Sequence, residues 1–424
     1  MSALAKRVAG SRYARNIATV FTANVLAQAV PLAVAPVLTR LYEPAEFGTF
    51  AVYVGAIALI ASAATGRYEL AIMLPPTARR AFSVAALTLA ITLASCTLLL
   101  AATPFAAGLV PTWVQEEGHA GLVYLVPFGV LASALFQTLN YWTVYQGGFR
   151  TLGAAKITQT SATASAQLVA GSLGGGVGSL LAGHVIGFAV SVGVLGGRFL
   201  AAAQQWLPST SVKDLLAVAT RYRRFPLLSL PADTTNVLSN QAPVFLLGAL
   251  FGPTAAGLYA LTQRVVGAPI GIVASSVLDV FRERAAREFR ERGNCVAAFG
   301  TTFRALAALG IVPFSLLFLY SPGLFALVFG EEWREAGEYA RLLVPMFFLR
   351  FVASPLSYVL YVAEKQSYDL LWQIALLVGT LTAIWAGAQL GDARLAVGLF
   401  SGCYSGLYLV YLWLSYHFAR GGGP

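Results

Sequence analysis

The sequence predicts an all-α integral membrane protein of about twelve transmembrane helices in two six-helix, pseudo-symmetric bundles. Three observations carry this. First, 58% of the 424 residues are hydrophobic and only 11% are charged, against about 25% charged in a soluble domain. Second, the apolar residues fall into runs long enough to cross a bilayer, which takes ~20 residues per helix. Third, motifs recur between the two halves in the same order. The mean hydropathy of +0.71 agrees.

The first six runs cover roughly 16–39, 48–66, 81–104, 120–141, 152–172 and 177–197. The second six cover roughly 225–249, 257–279, 299–320, 339–361, 369–388 and 394–418. Strands of a membrane barrel alternate in polarity and are about half as long, so a barrel is excluded. The basic residues Lys6, Arg7, Arg12 and Arg15 precede the first run, which is too long for a cleaved signal and is read as a span. The halves are expected to be residues 1–205 and 206–424, joined by a basic cytoplasmic segment. That segment holds an amphipathic stretch, 212–219, expected to lie on the inner membrane surface.

Most of the 28 basic residues fall in alternate loops and at the termini. Arg40, Arg334, Arg341 and Arg394 fall on the other side. The positive-inside rule then places both termini in the cytoplasm. The same distribution accounts for the net charge of +10 without nucleic acid. Cys96, Cys295 and Cys403 have no metal or disulfide spacing. His119, His184 and His417 lie in separate segments, and no nucleophile motif or paired-carboxylate site is found. No enzyme, metal site or cofactor is expected. A membrane polymerase or ligase would need a sizeable outer loop, and those around Trp113 and Trp333 are short.

The repeat is clearest after the first span of each half. Pro44, Gly48 and Ala51 match Pro253, Gly257 and Ala260 at an offset of 209. These stretches are expected to be matched outer turns forming a rim. Further on, 125–128 (LVPF) matches 343–346 (LVPM). Trp113 with Glu116 and Glu117 answers Trp333 with Glu335 and Glu338. Halves of six spans keep one orientation, the parallel-repeat arrangement of many transporters.

Ionisable and amide groups inside the runs are the candidate functional residues, because they are costly in lipid. The seventh run carries Asp233, Asn236 and Asn240 at i, i+3 and i+7, on one helix face. It also carries Pro226, Pro231 and Pro243, which allow bending. The offset of 209 sets Asp233 opposite Asn24, which shares a face with Gln28 at i+4. Two such faces suggest a central cavity; interhelical hydrogen bonding is the plainer alternative. Arg264 and Arg350 lie within spans and each needs an anion, water or an acidic partner. Arg40, at the outer end of the first span, either pairs with Glu43 or guards a cavity mouth.

The run 38–50 (LTRLYEPAEFGTF) resembles the first outer loop of the Wzx-type oligosaccharide flippases, in the multidrug/oligosaccharidyl-lipid/polysaccharide exporter superfamily. So does 67–75 (RYELAIMLP), and 250–260 leading into Gln263 and Arg264 resembles the matching loop of their second half. The resemblance implies a V-shaped molecule with a central cavity. It implies movement of undecaprenyl-diphosphate-linked oligosaccharide from the cytoplasmic to the periplasmic leaflet of a bacterial inner membrane, for surface polysaccharide such as O-antigen, capsule or exopolysaccharide. Alternating access would be driven by H+, Na+ or the membrane potential. On that reading Arg264, Arg350 and Arg40 attract the diphosphate, while Asn24, Gln28, Asn236 and Asn240 meet sugar hydroxyls. Asp233 binds the coupling ion. Expected partners are membrane lipids and other polysaccharide-assembly proteins. The runner-up is a cation-coupled small-molecule exporter, which would favour an acidic cavity.

Overall fold

The computed structural model describes residues 3–106 and 119–421. Trp113, Glu116 and Glu117 lie outside them. Every element described is helical, and no strand occurs among the described residues. Two compact units form: residues 1–42 with 49–241, and residues 43–48 with 242–424. The second unit therefore begins inside a helix, not at the 205/206 join. The linker stays with the first unit because its helix packs on the start of the third span.

The first unit contains α1 (Ala3–Leu41), most of α2 (Pro44–Ala64), α3 (Ala78–Ala106), α4 (Val126–Tyr145), α5 (Phe149–Ser172) and α6 (Val177–Trp206). It ends with the short amphipathic α7 (Val212–Arg221) and the first part of α8 (Leu230–Phe251). Helix α5 packs against both α1 and α6. Small residues make the α5–α6 approach possible: a Cβ on Gly187 would lie 1.8 Å from the Thr163 hydroxyl, and one on Gly183 2.6 Å from Gln167. Gln167 then donates to the Leu180 carbonyl at 2.8 Å, and Tyr42 donates to the Gln167 carbonyl at 2.8 Å. This is the small-xxx-small packing of membrane helices, where close backbones substitute for the absent hydrophobic drive. His184 stacks edge-on with Phe50 and Phe188, a packing role.

The second unit contains α9 (Pro253–Thr262), α10 (Ala268–Arg292), α11 (Val296–Phe329), α12 (Arg334–Leu356), the one-turn α13 (Val359–Val362), α14 (Gln366–Gln389) and α15 (Ala393–Ala419). Helix α12 is its centre, packing on α9, α10, α11 and α15. A Cβ on Gly337 would lie 2.5 Å from the Pro322 Cα, and Ser321 donates to the Gly337 carbonyl at 2.8 Å. Beyond the membrane run, α10 continues with i,i+4 ion pairs Arg284–Glu288 and Arg287–Glu283.

The matched motifs are not turns, as the sequence reading had them. Pro44 and Pro253 are the first residues of α2 and α9, where a missing N–H costs nothing and the fixed φ suits the helix. The two helix starts cross within the second unit. A Cβ on Gly48 would stand 1.7 Å from the Pro253 carbonyl oxygen, and one on Gly257 1.9 Å from that of Pro44. The contact is reciprocal, and it explains why residues 43–48 belong with the second unit. Phe47 adds an edge-on contact to the buried Trp333, 5.1 Å between centroids.

Among the described residues, nine helices are long and apolar enough to span a membrane. The fifth, seventh and eighth apolar runs are helical but do not qualify. They are the runs that contain Lys156, Asp233 and Arg264. Large side chains such as Leu98 (71% exposed), Phe105 (86%) and Leu327 (76%) point outwards, as lipid requires and water does not.

Candidate functional site

The chain after α2 turns sharply. Gly66 and Arg67 both have positive φ, near 59°, a conformation that costs a non-glycine residue about 1 kcal/mol or more. The 3-10 helix Tyr68–Met73 follows. This bend sets Arg67 beside Glu69, its Nη1 donating to Oε1 at 3.2 Å. Glu69 is fully buried, and its second oxygen has no hydrogen-bond partner. The Arg67 Nε lies 2.9 Å from Asp233 Oδ2, a close ion pair without a hydrogen bond along Nε–H. One guanidinium therefore serves two carboxylates.

Asp233 reaches that position because its helix starts irregularly. The π-helical turn Phe225–Ser229 contains Pro226 and opens directly into α8, whose second residue is Pro231. Proline and π-turns are the usual causes of bending. The π-turn packs on the 3-10 helix that follows Arg67, and Tyr68 donates to the Ala219 carbonyl at 3.1 Å. Further along α8, the Asn240 amide donates to the Asn236 carbonyl at 2.9 Å and to its side-chain oxygen at 3.1 Å. The two amides share one face, and both side chains are exposed. In the same unit, Lys156 Nζ donates to Asn24 Oδ1 at 2.9 Å. Gln28 and Arg40 are exposed. Arg40 makes no ion pair among the described residues, so its pairing with Glu43 is not seen.

The second unit holds another polar set. Between α9 and α10 the helix widens into the π-turn Gln263–Gly267, which contains Arg264. Gln263 donates to the Tyr259 hydroxyl at 2.7 Å. Gly267 approaches Phe347 of α12, and Arg350 follows three residues later on the same face. Arg350 lies within electrostatic range of Tyr259, Tyr404 and Tyr408. Neither Arg264 nor Arg350 has an ion-pair partner among the described residues.

Some polar residues were missed by the sequence reading. Lys156 counted only as a loop charge, although it lies about two turns inside α5. Asp369 of α14 is buried, at 7% exposure, and accepts from Gln373 at 2.8 Å, Tyr361 at 3.1 Å and Tyr411. An acidic residue at the start of an apolar run was the available signal. It ties α13, α14 and α15 together, and its donors are neutral.

Many long apolar helices define a multi-pass membrane protein. The chain belongs to the polysaccharide biosynthesis protein family, whose model matches residues 37–338. Its fold is that of the multidrug/oligosaccharidyl-lipid/polysaccharide superfamily. A multidrug-resistance MATE family transporter of that superfamily, in its inward-facing conformation, superposes with a TM-score of 0.69 at 14% identity, covering 93% of each chain. The lipid II flippase MurJ, inward closed, superposes with a TM-score of 0.70 at 10% identity, covering 94% of this chain and 87% of that one. A superfamily transporter from Pyrococcus furiosus, described by the reverse polarity of its binding pocket, gives 0.61 at 14% identity over 94% of each chain. A comparison with curated protein sequences finds no match.

Proposed function

We propose that the protein is a flippase that moves undecaprenyl-diphosphate-linked oligosaccharide from the cytoplasmic to the periplasmic leaflet of a bacterial inner membrane, with both termini cytoplasmic. The observation that carries this is a pair of guanidiniums without an ion-pair partner among the described residues, Arg264 in the π-turn between α9 and α10 and Arg350 within α12. Both side chains are half-buried; a cation drawn out of water without a counter-ion is costly, and an anionic cargo would supply the missing charge. A diphosphate offers guanidinium groups the bidentate geometry they favour. Arg40, at the end of α1, would add a further cation for the same anion. The amides of Asn24, Gln28, Asn236 and Asn240 suit hydroxyl-rich sugars, which both donate and accept hydrogen bonds.

Asp233 would carry the coupling proton or cation. Its ion pair with Arg67 sits beside a π-turn that contains Pro226 and is followed by Pro231. Binding of the coupling ion would weaken the attraction between Asp233 and Arg67 and leave α8 free to bend. Arg67 would keep Glu69 as its partner throughout. The cargo would feed surface polysaccharide assembly, alongside other assembly proteins.

The alternative of a cation-coupled exporter draws on the fold likeness to a multidrug transporter and on the same Asp233. The uncompensated charges favour an anionic cargo over a cationic one. The test is surface polysaccharide production in cells that depend on Arg264→Ala or Arg350→Ala protein, with membrane abundance measured in parallel. Loss of polysaccharide at normal abundance is expected. Full polysaccharide with both variants overturns the arginine assignment, and dye resistance on overexpression without any polysaccharide defect supports the exporter.

A further inference from the structure

The linker helix α7 builds a pocket that the transport reading does not use. Its N-terminus carries a reciprocal cap: Ser211 Oγ accepts from the Asp214 amide at 3.2 Å, and Asp214 Oδ2 accepts from the Ser211 amide at 2.9 Å. The capped end lies against the first turn of α3, where Arg79 reaches across to the Ser209 carbonyl at 2.5 Å and to Asp214 at 3.5 Å. Val218 is buried in the cluster with Phe82 and Trp142. A cavity of about 390 Å³ remains between the two helices, lined by Arg79, Arg80, Ser83, Asp214, Arg221 and Tyr222, among others.

Three guanidiniums and one carboxylate line this space. Asp214 is already committed, since the Ser211 amide and hydroxyl and then Arg79 hold its carboxyl below the usual carboxylate range. Arg80 and Arg221 have no ion pair among the described residues. Arg221 instead lies over the Tyr222 ring, 5.7 Å from its centroid. The pocket therefore keeps excess positive charge in a concave site with hydroxyl donors at hand. On the helical wheel, Asp214, Ala217, Val218 and Arg221 fall on one face of α7. Val212 and Leu216 fall on the opposite face and are 72% and 62% exposed. A helix divided in this way lies at a membrane surface with its apolar side in lipid.

We infer that Arg79, Arg80 and Arg221 form a binding site for a phosphate group at the inner membrane surface. Arginine is suited to this because its planar fork meets two phosphate oxygens at once. The inference rests on α7 lying at that surface. It stands whether or not the transported cargo is a polyprenyl-diphosphate glycan. The phosphate has two sources, a lipid headgroup at the bilayer edge or a soluble phosphate compound.

The test is mass spectrometry of the purified full-length protein, transferred intact from detergent. Three probes are offered separately: phosphatidylglycerol, a polyprenyl diphosphate, and inorganic pyrophosphate, each against phosphatidylcholine as the neutral reference. Wild-type protein should retain at least one of the three above the reference. The Arg80→Ala/Arg221→Ala double variant should lose that retention by roughly twentyfold, from about fivefold per basic contact. Ala217→Glu, which sets a carboxylate on the pocket face, should lose it too. Lys213→Ala, on the same helix outside the pocket, should not. Preferential retention of a lipid probe assigns the site to a headgroup, and preference for pyrophosphate assigns it to a soluble phosphate. Retention no better than phosphatidylcholine, or equal in wild type and in both pocket variants, overturns the proposal. Unchanged helicity and thermal unfolding in the variants separate loss of the site from loss of the fold.

Discussion

At the scale of single residues, Arg67 bears two unequal ion pairs. Glu69 is fully buried, whereas the Asp233 side chain is 39% exposed. Removing one partner of a buried pair strands the other charge, at about 3–5 kcal/mol. Breaking a partly exposed pair costs about 1 kcal/mol or less. Arg67→Ala should therefore lower thermal stability in detergent by about 3 kcal/mol, while Asp233→Asn should change it little and abolish transport. If Asp233→Asn unfolds as readily as Arg67→Ala, the Asp233 pair is structural and the coupling role fails. Helical spacing alone reveals that Asp233, Asn236 and Asn240 share a face. The identity of the Asp233 partner was not legible, because Arg67 is distant in sequence and reaches it only through two consecutive positive-φ residues. Lys156 escaped for a related reason: as one cation at the edge of a polar run, it reads like a loop charge until α5 is seen to pack on α1.

At the scale of helices, the repeat at offset 209 is plain in the sequence, but the reason for its glycines is not. Proline at each start marks a helix N-terminus as readily as a turn, and the crossing of α2 and α9 decides between them. That crossing requires a hydrogen where other residues carry Cβ. Gly48→Ala and Gly257→Ala should each destabilise by about 1–3 kcal/mol, the range for overpacking. Because the two clashes lie on either side of one contact, separating the helices relieves both. The double variant should then cost clearly less than the sum of the singles, as coupled neighbours do. Additive losses in thermal unfolding would mean that the two glycines act at independent contacts. The same logic explains the irregular turns. Prolines and polar residues in the seventh run announce a broken helix, whereas no local pattern announces the π-turn at Gln263–Gly267.

At the scale of the whole molecule, composition and run length suffice for a multi-pass helical membrane protein, and hydropathy fails where side chains inside the helices are polar. The three runs that fall short contain Lys156, Asp233 and Arg264, whereas the spans that carry Asn24, Gln28 and Arg350 qualify. Orientation rests on a different property, the distribution of charge among the loops. The α10 end carries Arg282, Arg284, Arg287, Arg290 and Arg292, and carrying such a cluster across the membrane is strongly disfavoured. The segment before α12 holds Glu331 and Glu332 beside Arg334, with Arg334 paired to Glu331, and has no excess of positive charge. After replacement of Cys96, Cys295 and Cys403, single cysteines at the exposed positions Glu332 and Glu364 report the two sides. A membrane-impermeant thiol reagent added to intact spheroplasts should label Glu332→Cys and leave Glu364→Cys unlabelled until the membrane is permeabilised. The reverse pattern would invert the topology. It would also place α7 and its arginine pocket on the outer surface, away from the leaflet from which the proposed cargo must be taken.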